Sequence, residues 1–159
     1  MDPLRQKAIE LFQAAYQQQL RGRVDRAIDL YSQSIGVCPT PEAYTFRGWA
    51  YSAQKRFEDA IDECKKAIGV DPAFGNPYND IGSYLMALGR LDEAVDWLEK
   101  AKVAPRYQPR HYPFINLGRL YAAKGMLLKA VAEFRGALEY QPGDVVSLHA
   151  IEQLRSRLN

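Results

Sequence analysis

The chain has 159 residues, of which 47% are hydrophobic and 25% are charged, and its formal net charge is +2. This composition is typical of a folded globular protein, and so small a net charge gives no general attraction to nucleic acid or to a membrane surface. The longest uncharged stretch runs from Leu30 to Pro41. It is shorter than the ~18 apolar residues that a membrane span requires.

The sequence offers little for catalysis. Its two histidines, His111 and His149, are a helix pair apart, and it has no HExxH or CxxC motif and no glycine-rich loop after a strand. The acidic pairs at 58–59 and 62–63 fit a solvated helix face, and two cysteines do not make a disulfide framework. We therefore expect no enzyme activity, no cofactor and no metal site. The N-terminal residues lack the apolar core of a secretory signal, so we also expect a cytoplasmic protein.

Prolines, capping residues and glycines mark the ends of nine predicted helices. Asp2-Pro3 predicts the first start, because aspartate caps a helix and proline is tolerated at its first position. Thr40-Pro41 repeats this signal, Gly22 predicts the first helix end, and Asp144 predicts the last N-cap. The predicted helices, in chain order, span about 3–22, 24–37, 40–54, 57–69, 76–89, 91–103, 113–124, 127–140 and 144–158.

One pattern of large, aliphatic and small residues recurs four times along the chain. Its clearest copies combine a large residue, an aliphatic residue and a glycine, followed by alanines in the next helix. The alanine markers are Ala27, Ala60, Ala94 and Ala130, and their spacings are 33, 34 and 36 residues. The residues in the glycine position are Ala15, Gly48, Gly82 and Gly118, and they keep the same three spacings. Two markers in one register indicate a true repeat.

The pattern resembles the tetratricopeptide repeat, a helix–turn–helix unit of about 34 residues. The resemblance implies an all-α fold, a right-handed α-solenoid of antiparallel helix pairs with a C-terminal capping helix. In the capping helix, Leu148, Ile151, Leu154 and Leu158 form one apolar stripe, as expected of a terminal unit that buries one face. We predict a single domain over 1–159, with repeats at about 3–39, 40–73, 74–107 and 110–143 and a capping helix at 144–158.

In this family the first helix of each pair lines a concave groove, and positions near the glycine slot face into it. Helical geometry agrees, because those positions share one face that is offset from the packing stripe. The resemblance thus implies that the partner-binding residues are Phe12, Tyr16, Phe46, Trp49, Asn76, Asn79, Tyr112, Asn116 and Arg119. The alternative is that Phe12, Tyr16 and Trp49 pack beneath neighbouring helices.

The composition of this groove suggests the class of partner. Its N-terminal half is aromatic, its middle is rich in amides, and its far end holds Arg119; the stretch from Lys100 to Ala132 contains no acidic residue. We expect a non-catalytic scaffold that binds a protein or peptide with apolar and acidic residues, without nucleic acid or membrane binding. We also expect a monomer rather than a homodimer. The alternative function is self-association or assembly through the same aromatic surface.

Chaperone-binding members of the family grip the C-terminal carboxylate of a partner with lysines, an arginine and asparagines. At the matching positions this chain has Phe12, Tyr16, Phe46, Asn76 and Asp80. The basic clamp is absent, so we do not expect chaperone tails to bind by that route.

The connection between the third and fourth repeats, residues 104–113, is longer than the others and contains three prolines. Proline stiffens a segment and cannot continue a helix. Two interpretations stay open. The segment is either a surface loop that tolerates extra length, or an edge of the binding site at which Arg106, Tyr107 and Arg110 face a ligand.

Overall fold

The computed structural model describes residues 2–159, which form nine α-helices and no β-strand. The all-α prediction is therefore confirmed for this part of the chain. The helices are α1 Pro3–Leu20, α2 Val24–Val37, α3 Pro41–Ala53, α4 Phe57–Val70, α5 Asn76–Ala87, α6 Leu91–Val103, α7 Tyr112–Ala123, α8 Leu127–Tyr140 and α9 Val145–Leu158.

Local capping explains where several helices begin. The Asp2 carboxylate accepts a hydrogen bond from the backbone N–H of Leu4, and the Thr40 hydroxyl accepts one from Ala43. Asp144 does the same for the N–H of Ser147 at the start of α9, at 2.9 Å. These bonds satisfy backbone donors that have no partner inside the helix.

The tight turns inside three helix pairs use glycine in the left-handed region, at Gly22, Gly89 and Gly125. A residue without a Cβ adopts this conformation without steric cost. In the turn between α3 and α4 the same conformation falls on Lys55, with φ 63°. The sequence pattern gave no signal for this exception.

The repeated small residues are packing positions between the paired helices. A Cβ placed on Gly82 would lie 2.5 Å from Leu98 of the partner helix α6, and one on Gly118 would lie 2.6 Å from Phe134 of α8. Ala94 and Ala130 are fully buried. The helices of a pair therefore approach closely at the repeat slots.

The arrangement of helices produces one continuous inner surface. Each helix packs on its neighbour in sequence, and the first helices of successive pairs, α1, α3, α5 and α7, also touch one another in order. Because these four helices stand side by side, side chains on their shared face line one groove.

Two expectations about exposure are corrected by the structure. In α9, Ile151 and Leu154 are buried, but Leu148 and Leu158 are about half exposed, because α9 packs only on α8 and α7. Glu63, expected in solvent, is 4% exposed. It is tolerated there because Arg47 of α3 pairs with it at 2.6 Å, and a buried charge requires such a partner.

Within residues 2–159, none of the helices is both long and apolar enough to cross a membrane. The described side chains also include no group of three or more His, Cys, Asp or Glu residues placed to hold a metal ion.

Candidate functional site

The inner surface contains a concave pocket of about 600 Å³, called here the groove pocket. Its walls come from α1, α3, the start of α5, and the 104–113 connection with the first residue of α7. The lining residues are Tyr16, Thr45, Phe46, Trp49, Asn76, Asn79, Asp80, Tyr107, Pro109 and Tyr112. Six of the nine predicted partner-binding residues are in this set, and Phe12, Asn116 and Arg119 are outside it.

One wall of the groove pocket is an aromatic cluster centred on Phe46. The centroid of its ring lies 5.1 Å from that of Phe12, 5.8 Å from Tyr16, 5.9 Å from Trp49 and 6.4 Å from Tyr31. Three of these contacts are edge-to-face, a geometry that aromatic quadrupoles favour. Trp49 is the most exposed member, at 38%, because it lies at the open side of the cluster.

Phe12 has a different position from the other groove aromatics. Its ring packs 5.8 Å from the buried ring of Tyr31, and it lines a separate cavity of about 290 Å³ near the N-terminus with Arg5 and Ile9. The alternative interpretation, that a groove aromatic packs beneath a neighbouring helix, therefore fits Phe12 better than it fits Trp49.

Two asparagines of the groove, Asn79 and Asn116, are joined by a side-chain hydrogen bond. The Asn116 side-chain N–H donates to the Asn79 side-chain carbonyl at 2.9 Å, and Asn79 is buried. This bond orients the Asn79 amide, which lines the pocket and whose NH₂ group makes no hydrogen bond to a described side chain. Asn116 thus positions Asn79 without lining the pocket itself. Asn76 lines the pocket at the first residue of α5.

The 104–113 connection folds back against the segment that precedes α5. The Gly75 N–H donates to the Arg106 carbonyl at 2.9 Å, and the Arg106 N–H donates to the Ala73 carbonyl at 3.0 Å. A Cβ on Gly75 would lie 2.5 Å from the Cβ of Tyr107, so only glycine permits this approach. The contact holds Tyr107 and Pro109 at the groove pocket.

This geometry shows which residues of the connection reach the groove pocket, while the interpretation of the segment as an edge of a binding site stays a prediction. The segment does form an edge of the pocket, but only Tyr107 of the three suggested residues lines it. Arg110 donates to the carbonyls of Lys102 and Ala104 at 2.6 and 2.7 Å and so holds the connection in place. Arg106 is engaged by Asp71 at 2.6 Å and Glu42 at 3.4 Å. Sequence reasoning missed Pro109, which carried no distinguishing signal.

Asp80 is the charged side chain among the lining residues of the groove pocket. Burial raises its pKa to about 7, because desolvation disfavours the carboxylate. Among residues 2–159 it has neither an ion-pair partner nor a side-chain hydrogen bond within normal distance. The sequence signal was its position two residues before the glycine slot, which the repeat pattern directs into the groove.

Arg119 lies on α7 beyond the groove pocket and is exposed. The expectation that it meets acidic residues of a partner stays a prediction. The pocket itself has no lysine or arginine among its lining residues.

Comparison with known families decides the classification of the fold. Models of the tetratricopeptide repeat match residues 41–74, 78–102 and 113–144, together more than half of the chain. The chain belongs to the tetratricopeptide repeat family. The first repeat lies outside the three matches, in agreement with its worn pattern, in which alanine replaces the glycine at position 15.

Similar tetratricopeptide repeat proteins occur among curated proteins and solved structures. Heat shock protein STI1 of Saccharomyces cerevisiae is 34% identical over 79 residues, which are 48% of this chain and 13% of STI1. The structure of Pseudomonas aeruginosa PilF has a TM-score of 0.88 at 19% identity, over 96% of this chain and 69% of that chain, which shows the likeness of fold. The second tetratricopeptide repeat unit of Spaghetti (RPAP3), solved with the HSP90 peptide SRMEEVD, has a TM-score of 0.59 at 25% identity. It covers 63% of this chain and 94% of that chain.

The raised pKa of Asp80 predicts a stability effect in this tetratricopeptide repeat chain. Between its ordinary value near 4 and about 7, Asp80 is protonated when folded and ionised when unfolded, so stability falls as pH rises through this window. Asp80→Asn removes the penalty. We expect the variant to be more stable than the wild type at pH 8, by about 2 kcal/mol after allowance for solvent in the pocket.

The measurement is thermal unfolding of both proteins at pH 4 and pH 8, followed by circular dichroism. The gain at pH 8 corresponds to a midpoint about 4–8 °C higher, and it disappears at pH 4. An equal difference between the two proteins at both pH values would contradict the titration of Asp80.

Proposed function

We propose that this chain is a non-catalytic interaction module that binds an extended peptide or a short helix of a partner protein in its concave groove. The proposal rests on the position of Trp49. This residue is 38% exposed and lies beside Tyr16 and Phe46 at the edge of a concave pocket of about 600 Å³. Tryptophan and tyrosine in such pockets dominate the energetics of protein interfaces, because they bury large areas at small entropic cost.

The remainder of the groove pocket suits a peptide backbone. Asn79 keeps an amide donor free, and Asn76 lines the same wall without a side-chain hydrogen bond in the part of the chain described. Peptide ligands satisfy such donors with backbone carbonyls, and pockets along the groove then take alternate side chains. A concave, largely apolar site with a few directed polar groups is the usual form of a binding pocket.

The relative solved with SRMEEVD supports a peptide as the class of ligand for this fold. It does not imply that this chain binds SRMEEVD itself. SRMEEVD has three carboxylate side chains, whereas the groove pocket here is lined by Asp80 and by no lysine or arginine. An acidic segment of the partner would have to reach Arg119, outside the pocket. A cytoplasmic location and a monomeric state stay predictions.

The test is selection from a displayed library of random linear peptides, with SRMEEVD as a reference peptide. The two tryptophans provide a matched control: Trp97 lies on α6 outside the pocket, against Tyr78 and Lys100. We expect enriched peptides to bind the wild type and Trp97→Phe but to lose binding to Trp49→Ala, and SRMEEVD to bind weakly to all three.

Circular dichroism must first show that each variant keeps its helix content. Enriched peptides that bind Trp49→Ala as well as the wild type would place the site outside the groove pocket. Light scattering on the same samples measures the oligomeric state, and a dimer that Trp49→Ala disrupts would favour self-association through this surface instead.

A further inference from the structure

We propose that the groove pocket anchors a basic side chain of the partner, arginine or lysine, with Asp80 as its counter-ion and the aromatic residues as its walls. This inference rests on the proposed peptide-binding function and specifies the chemistry of its ligand.

Charge complementarity is the first argument. Asp80 is the charged residue among those lining the groove pocket, and no cation lines it. Elsewhere in the described chain a more deeply buried carboxylate, that of Glu63, is held by both Arg47 and Lys66 at 2.6 and 2.9 Å. Asp80 lacks such a partner within residues 2–159. An unpaired carboxylate at a half-buried position is costly, and a cation delivered by a ligand would offset that cost.

The aromatic walls are the second argument. Tyr16, Phe46 and Trp49 line the pocket from α1 and α3, and Tyr107 and Tyr112 line it from the 104–113 connection and the first residue of α7. The faces of aromatic rings attract cations, and tryptophan does so most strongly. The apolar stem of a lysine or arginine side chain also packs against such walls while its charged end reaches a carboxylate. An acidic or neutral side chain of the ligand could pack against the rings but could not form an ion pair with Asp80.

The groups around Asp80 leave its charge uncompensated. The titratable side chains that interact with it are Cys64 from α4, Tyr84 from α5 and Tyr107 from the 104–113 connection. Burial raises the pKa of all three, so they stay neutral across the physiological range. Since the pKa of Asp80 is about 7, a bound cation would favour its ionised form, and binding would strengthen as pH rises from 6 to 8.

The test uses two small probes of nearly equal shape, N-acetyl-arginine amide and its uncharged counterpart N-acetyl-citrulline amide. The protein has two tryptophans, so a nitrogen–proton correlation spectrum contains two indole signals, and Trp97→Phe assigns that of Trp49. We expect the arginine probe to shift the Trp49 signal in a saturable manner at pH 8. The citrulline probe is expected to bind about tenfold more weakly, because it lacks the charge-assisted hydrogen bond to Asp80, and one such bond contributes about that factor in affinity.

Asp80→Asn is the decisive variant, and Asp92→Asn is its matched control. Both remove one negative charge, but Asp92 is 88% exposed and pairs with Lys124 outside the pocket. We expect Asp80→Asn to abolish the preference for arginine over citrulline and Asp92→Asn to preserve it. His111 lies beside the pocket residue Tyr112, with ring centroids 4.5 Å apart, so binding of the arginine probe is measured from pH 6 to pH 8 in both the wild type and His111→Gln.

Equal binding of the two probes, a preference that survives Asp80→Asn, or no shift of Trp49 with either probe would overturn the inference. These outcomes are separate from failure of the proposed function. Library peptides that depend on Trp49 but lack lysine and arginine, and that bind Asp80→Asn unchanged, would leave the peptide-binding function standing and remove the basic anchor. Absence of any Trp49-dependent peptide would remove the proposed function itself.

Discussion

Trp49→Ala is expected to weaken the binding of a groove peptide by about 30-fold, a loss of about 2 kcal/mol. The indole stands at the open side of the aromatic cluster, 5.9 Å from Phe46 and 6.3 Å from Tyr16 in ring centroids. Truncation to alanine removes a large apolar surface that a ligand would cover. It also leaves the cluster beneath intact, because Phe46 keeps its contacts with Phe12 and Tyr31.

The measurement is fluorescence polarisation of a labelled peptide from the library selection, titrated with the wild type and each variant. Trp97→Phe is the control and should bind within about twofold of the wild type, since Trp97 packs against Tyr78 and is not among the residues that line the groove pocket. A Trp49→Ala affinity within that same range, in a variant with unchanged helix content, would exclude Trp49 as the anchor of the groove.

Gly75→Ala is expected to lower the free energy of unfolding by about 1–3 kcal/mol, the usual cost of overpacking. The added methyl would lie 2.5 Å from the Cβ of Tyr107 and 2.9 Å from that of Ala104. Neither atom can move by a change of rotamer, so the backbone of the 104–113 connection must shift. Because Tyr107 lines the groove pocket, we expect peptide affinity to fall together with stability.

Gly69→Ala is the matched control for this prediction. Gly69 lies in the last turn of α4, and a Cβ there would meet no atom within 4 Å. The same chemical change should therefore be neutral or stabilise by up to about 1 kcal/mol, since alanine favours helix. Both variants are compared by thermal unfolding and by peptide titration. A Gly75→Ala protein with wild-type midpoint and affinity would mean that the contact with Tyr107 is loose.

The order of the helices could be predicted from the sequence because their signals are local. Asp2, Thr40 and Asp144 cap the helices that they were expected to cap, since a cap needs only its own backbone neighbours. The repeat register identified Gly82 and Gly118 as close-approach positions, because the two helices of each repeat pack together in the same way. The all-α, tetratricopeptide-like fold followed from these signals and is confirmed.

The orientation of the groove side chains could also be predicted from the sequence, because a residue's place in the repeat determines the helix face on which it lies. Tyr16, Phe46, Trp49, Asn76 and Asn79 line one pocket as their positions implied. That they bind a partner stays a prediction. Where the repeat pattern gave no warning, at Lys55 and at the buried Glu63, the outcome depended on a turn conformation and on an ion pair with Arg47 of the adjacent helix.

The sequence by itself thus determined the helices, their pairing and the face that forms the groove, because each depends on spacing within about 34 residues. Only the tertiary structure decided the far wall of the pocket. The 104–113 connection takes its course from bonds to Ala73 and Gly75, more than 30 residues earlier in the chain, and these bonds bring Tyr107 and Pro109 to the groove. Asp80 lines the same pocket, which has no lysine or arginine among its lining residues, and burial there raises its pKa. That burial depends on segments distant in the chain, so no local pattern could predict it.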